Sequence, residues 1–106
     1  MSIAKPAYEE RVAPSMACAK RCGNMYTGSL YGGLASLIST VPSEKLMGKR
    51  VLMFAFGGGC AASLYALRFI ASPERVANKM DLFRRLDGMI VTSVEDYVVA
   101  MKVRRW

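Results

Sequence analysis

A chain of 106 residues, with 53% apolar residues and a formal charge of +7, is long enough for one modest domain and too short for two. Three cysteines without a histidine argue against a zinc site, which wants four ligands at paired spacing, and leave reduced thiols in a cytosolic chain as the default. The apolar stretches break before the roughly 20 residues of a membrane span, and Met1 to Pro14 carries Lys5, Glu9, Glu10 and Arg11 without an apolar run, so neither a membrane segment nor a signal peptide is expected.

The apolar share is high for a small domain and implies that some apolar surface meets something else. The basic residues fall in pairs, Lys20-Arg21, Lys49-Arg50, Arg84-Arg85 and Arg104-Arg105. They form no block of five or more, and no aromatic residues interleave with them as a stacking platform requires. They read as solvated surface rather than a nucleic-acid face, and as a surface that suits an anionic ligand such as a phosphorylated cofactor. Cys18-x-x-x-Cys22 matches a metal spacing and nothing more.

In chain order, residues 1–22 read as irregular, with Pro6 and Pro14 as breakers. A helix is predicted over about 26–39. Leu30, Leu34, Leu37 and Ile38 recur at helical spacing, and Gly, Ser, Ala and Tyr fill the other faces. A helix without a charged face is a buried helix. Gly32 and Gly33 each cost about 1 kcal/mol inside it, which fits a close approach by another backbone. Asn24 stands ahead of it as a candidate N-cap. Pro42 to Leu46 reads as a turn or one helical turn, and Gly48 as a stop. Val51 to Phe56 is a continuous apolar run of strand length, closed by Gly57-Gly58-Gly59. A run apolar on both faces reads as a central strand.

The segment Cys60 to Ile70 has two readings. One is a helix after a glycine loop, although the Walker ending Gly-Lys-Ser/Thr is missing. The other is a second strand, with Tyr65, Leu67 and Phe69 on one face and Leu64, Ala66, Arg68 and Ile70 on the other. Ser72-Pro73 then opens a helix with Pro at its first position. Its stripe is Val76, Met80, Phe83 and Leu86, and Asp87-Gly88 ends it. Met89-Ile90-Val91 suggests a short strand. Ser93 caps a last amphipathic helix built on Val94, Tyr97, Val98 and Met101, with Arg104-Arg105 at its favourable C-terminal end. Together these elements make an α/β layer arrangement, a buried helix and a central strand pair covered by amphipathic helices.

Several motifs in this order carry a family resemblance. Gly23-Asn24-Met25-Tyr26-Thr27, then Leu30-Tyr31-Gly32-Gly33-Leu34-Ala35-Ser36, then Gly48-Lys49-Arg50-Val51 and Phe54-Ala55-Phe56-Gly57-x-Gly59 resemble the C-terminal half of hydroxymethylglutaryl-CoA synthase. Arg85-Leu86-Asp87 and the Met101-Lys102 helix look similar too. The likeness runs from about Tyr8 to Arg104 and leans toward fungal members. It divides the chain into an N-terminal segment, 1–22, and a partial synthase domain, 23–106.

The resemblance implies a thiolase-like fold, in which the segment after the glycines is a strand and the glycine loop is a hairpin tip that reaches the active site. It implies that Asn24 hydrogen-bonds the bound acyl substrate, that the loop's middle residue, here Gly58, contacts it, and that Tyr26 lies near. The family has Ser at the loop's middle position, so the hydroxyl is missing in this chain. The substrates implied are acetyl-CoA and acetoacetyl-CoA, with no further cofactor, in the mevalonate route to sterols and isoprenoids. The family's nucleophilic Cys, acid/base Glu and substrate-positioning His lie in its N-terminal half, and this chain has no His. Cys60 reads as a small apolar residue at a strand start rather than a nucleophile, since no activating base is legible beside it.

The expectation is therefore a C-terminal piece of the enzyme: a truncated gene, a degraded duplicate or half of a split enzyme. It would be inactive in isolation, cytoplasmic, prone to self-association or dimer formation, and free of nucleic-acid or membrane partners. The alternatives are a non-catalytic interaction protein that uses an exposed apolar face, and a small basic nucleic-acid binder.

Overall fold

The computed structural model describes residues 4–104. Arg105, expected beside Arg104 at the end of the last helix, lies outside the described residues. Two short helices open the chain, α1 (Ala4–Arg11) and α2 (Ala17–Cys22), joined by a 3₁₀ turn at Ala13–Ser15. The expectation of an irregular segment over 1–22 is corrected over 4–22, residues 1–3 lying outside the described residues. Pro6 sits in the first turn of α1, where its missing N–H has no partner to lose, and Pro14 sits at the start of the 3₁₀ turn. The prolines initiate these turns rather than break them.

A 3₁₀ turn at Tyr26–Gly28 leads into α3 (Ser29–Thr40), followed by one turn of helix, α4 (Ser43–Leu46). Then come β1 (Arg50–Gly57) and β2 (Ala61–Arg68), an antiparallel pair whose register runs from Arg50 opposite Arg68 to Gly57 opposite Ala61. The strand reading of Cys60 to Ile70 is the correct one. Backbone bonds between Gly48 N–H and Phe69 O (2.9 Å) and between Phe69 N–H and Lys49 O (3.0 Å) carry the pairing past the strand ends. The connection is Gly58-Gly59-Cys60, with φ +64° at Gly58 and +79° at Gly59, angles that only glycine adopts cheaply.

The predicted helix after Pro73 is two helices, α5 (Glu74–Met80) and α6 (Leu82–Asp87). The break is Asp81 in the left-handed region, φ 44°, which Asp tolerates better than most residues. The carboxylate of Asp81 also pairs with the Arg84 guanidinium. Met89-Ile90-Val91 does not form a strand: no strand pairs with it among the described residues, and Ile90 and Val91 are 89% and 94% exposed. Helix α7 (Val94–Val103) closes the described chain. As expected, the Ser93 hydroxyl caps it by accepting from the Asp96 N–H at 3.1 Å.

Helix α3 is the hub, packed by α2, the first 3₁₀ turn, α5, α6 and β1. Close approach is bought with small residues. A Cβ at Gly33 would lie 3.6 Å from the Ser15 carbonyl oxygen, and one at Gly32 would lie 3.5 Å from the Cys18 Cβ and 2.4 Å from the Met25 methyl. Ser36 is fully buried. Its hydroxyl donates to the Gly32 carbonyl (2.7 Å) and accepts from the Cys18 N–H (2.9 Å), which satisfies a donor at the start of α2. Cys18, Leu46, Met53 and Leu86 form the small apolar core.

Two burial expectations are corrected. Apart from Ser36, α3 is half-buried or exposed, and β2 is exposed along its whole length. A helix with no polar face and a hairpin apolar on both faces need layers on every side. The described residues supply one layer, on the Val51, Met53 and Ala55 face of β1.

Candidate functional site

The turn between α2 and α3 is tied down at several points. Arg21, in the last turn of α2, donates to the Asp87 carboxylate (2.9 Å) and to the Leu86 carbonyl (2.8 Å), fixing that helix end to the end of α6. Gly23 follows with φ +69°. The Asn24 Oδ1 then accepts from the Tyr26 N–H at 2.7 Å, an Asx turn, and Tyr26 takes the left-handed conformation at φ 53°. The Ser29 hydroxyl accepts from the Met25 N–H at 2.9 Å, and the Met25 methyl seats over Gly32.

Asn24 therefore does not cap α3, as its position suggested. Gly28 stands at the cap and no side chain bonds the helix N-terminus there. The Asn24 carbonyl end is used by the turn, and its Nδ2 protons have no acceptor among the described residues. An exposed amide held by its oxygen presents two donors in a fixed direction.

Asn24 and Tyr26 are thus brought together on one turn. Gly58 stands apart at the hairpin tip, with nothing within 4 Å of where a Cβ would lie. Cys60, expected at a strand start, is exposed in the loop beside it. Two surface clefts are lined by Arg75, Val76, Lys79 and Met80, and by Leu34, Ile38, Leu67, Arg68 and Phe69. Neither includes Asn24, Tyr26 or Gly58. No group of three potential metal ligands occurs among the described residues, and no helix there is long and apolar enough to cross a membrane.

Sequence reasoning did not single out Arg21, Ser29 or the pairing of Tyr31 with Tyr65. The Tyr65 phenol is raised above its ordinary pKa, first by desolvation and then by the neighbouring Tyr31. The one available signal was register: a strand from Ala61 puts Tyr65 on the face turned toward α3.

A glycine-tipped apolar hairpin packed on a small-residue helix, with an amide-bearing turn ahead of that helix, fits the part of a thiolase-like fold that the family resemblance implies. The curacin biosynthetic pathway HMG synthase, solved in complex with apo donor-ACP, superposes with a TM-score of 0.78 over 88% of this chain and 22% of that one, at 24% identity. The same synthase solved alone gives 0.77. The family model described as hydroxymethylglutaryl-coenzyme A synthase C terminal matches residues 1–106, and the chain belongs to that family. It is 47% identical over 103 residues to hydroxymethylglutaryl-CoA synthase of Mycosarcoma maydis, covering 97% of this chain and 22% of the relative. It is 45% identical to that of Ganoderma lucidum and 38% identical to that of Saccharomyces cerevisiae, covering 98% of this chain in each case. The chain thus spans about a fifth of the length of these relatives, and the match includes residues 1–22 as well as 23–106.

Proposed function

We propose that this chain supplies the acyl-recognition turn and the glycine hairpin tip of a hydroxymethylglutaryl-CoA synthase. That enzyme condenses acetyl-CoA, acetoacetyl-CoA and water to hydroxymethylglutaryl-CoA and CoA, on the mevalonate route to sterols. The observation that carries the reading is the Asn24 turn: its oxygen is spent on Tyr26 N–H and its amide protons are left for a substrate oxygen. Tyr26 borders that oxygen's site, and Gly58 lets a main-chain tip approach the acyl group. The chemistry of bond formation belongs to the Cys, Glu and His of the family's other half. The free thiols Cys18, Cys22 and Cys60 support a cytoplasmic setting.

The test is a chimera in which this chain replaces the matching 103 residues of the Mycosarcoma maydis relative. Asn24→Ala is expected to lower kcat/KM on the order of 100- to 1,000-fold, the loss of one oxyanion-type donor. Cys60→Ala is expected to leave the rate unchanged. A silent Asn24→Ala alongside a dead Cys60→Ala would overturn the assignment. Purified 1–106 alone is expected to release no CoA from the two thioesters above a heat-killed control.

A further inference from the structure

The outer face of the hairpin is apolar from Leu52 to Phe56 and carries Arg50 opposite Arg68 at its far end. Leu52, Phe54 and Phe56 of β1 lie opposite Ala66, Leu64 and Ala62 of β2, and directly opposed residues share a face. Phe54 and Phe56 stack with ring centroids 5.8 Å apart, yet they are 55% and 78% exposed. Each strand has one unpaired edge among the described residues. Helix α7 is also uncovered, with Val94, Tyr97, Val99 and Val103 all exposed.

The size of the uncovered surface identifies what fits it. A compact monomer of 11.6 kDa exposes about 5,800 Å², and this chain exposes 9007 Å². Its radius of gyration is 17.1 Å, against about 13 Å for a compact 100-residue domain. The surplus, roughly 3,000 Å², is several times the ~800 Å² that one partner contributes to a standard interface. It is also spread over a sheet face, two strand edges and a helix, so a single twofold contact with a second copy leaves most of it wet. Surplus of this kind is a domain core cut open.

We propose that the Leu52-Phe54-Phe56 face and α7 together form a docking surface for the larger, remaining part of a hydroxymethylglutaryl-CoA synthase fold, and that this part binds when supplied as a separate polypeptide. The inference rests on the functional reading above, and on the relatives extending well beyond the 22% that this chain matches. It predicts assembly in trans, which the condensation chemistry does not require.

The experiment co-expresses 1–106 with a tagged Mycosarcoma maydis synthase from which the 103 matched residues are deleted, and weighs the purified product by light scattering. A complex holding the two chains in equal number is expected, with Phe54→Glu/Phe56→Glu reducing recovery of the small chain at least tenfold. Hydrogen exchange on the unmutated complex guards against a variant that merely fails to fold: amides of β1, β2 and α7 are expected to slow relative to 1–106 alone. Failure to copurify, a homodimer of 1–106 that protects the same strands, or a complex without protection there would each overturn the proposal. A complex that forms but releases no CoA would sink the functional reading alone. An active chimera without assembly in trans would sink this inference alone.

Discussion

Gly58→Ser in the chimera separates backbone shape from side-chain chemistry at the hairpin tip. The family resemblance implies that the hydroxyl restores a contact with the acyl group and is helpful or neutral. The structure adds a cost. Gly58 has φ +64°, and a residue with a Cβ in the left-handed region costs about 1–2 kcal/mol. No atom lies within 4 Å of the new Cβ, so the cost is backbone strain without a clash. That strain is the same in the free enzyme and in the transition state, so it lowers stability and leaves kcat/KM nearly untouched. The hydroxyl contact exists only with the acyl group bound, and a net hydrogen bond of about 0.5–1.5 kcal/mol is a rate factor of about 2- to 12-fold. Gly58→Ala carries the strain without the contact. Both variants are therefore expected to lose about 1–2 kcal/mol in chemical denaturation, while Ser exceeds Ala in kcat/KM by about 2- to 12-fold. Equal rates for Ser and Ala would refute the contact at position 58, and unchanged stability in both would refute the left-handed tip.

Three further outcomes are expected in the same chimera. Ser36→Ala strips the acceptor from the buried Cys18 N–H and should destabilise by about 1–3 kcal/mol, read from the denaturant midpoint; a loss below half of that would mean that water or a shifted turn replaces the hydroxyl. Gly32→Ala drives a Cβ toward the Met25 methyl, the movable end of a flexible side chain. The helix gains about 1 kcal/mol in propensity, so stability should hold while kcat/KM falls because Met25 neighbours Asn24, and an unfolded variant would show that Met25 has nowhere to go. In a spectrophotometric titration, Tyr65 should ionise after an ordinary tyrosine, and Tyr65→Phe should remove that late component. Because the folded phenol holds its proton more tightly than the unfolded one, its contribution is complete below the ordinary tyrosine range and is lost as pH rises through the raised value. A stability difference between the parent chimera and Tyr65→Phe that grows in the parent's favour over that range would contradict the sign.

Local pattern carried much of the fold and fell silent where a partner decides the outcome. Val51 to Phe56 read as a strand because the run is apolar and closed by glycines, and Ser93 read as a cap because Asp96 follows at the right distance. The break at Asp81 was invisible: Val76, Met80, Phe83 and Leu86 keep helical spacing across it, and a left-handed Asp leaves no periodic trace. Pro6 and Pro14 were misread because a proline looks the same whether it stops one helix or starts another. Met89 to Val91 is apolar enough for a strand, but a strand needs an edge to pair with. Of the site, the Asn24 motif was legible through family resemblance. The Arg21 fork on Leu86 and Asp87 was not, since it joins residues 65 and 66 positions apart that no local rule connects.

The two ends of the Asn24 side chain have different duties, and chemistry can separate them. Deamidation to Asp would keep an oxygen for Tyr26 N–H and so keep the turn, while replacing both amide protons with an acceptor and a negative charge. The Asp product would differ by a single functional group and keep the bond from the Tyr26 N–H. It would also repel the substrate oxygen that the proposed function assigns to the amide. Conversion to the Asp form would then show as a falling active fraction in a sample that stays folded.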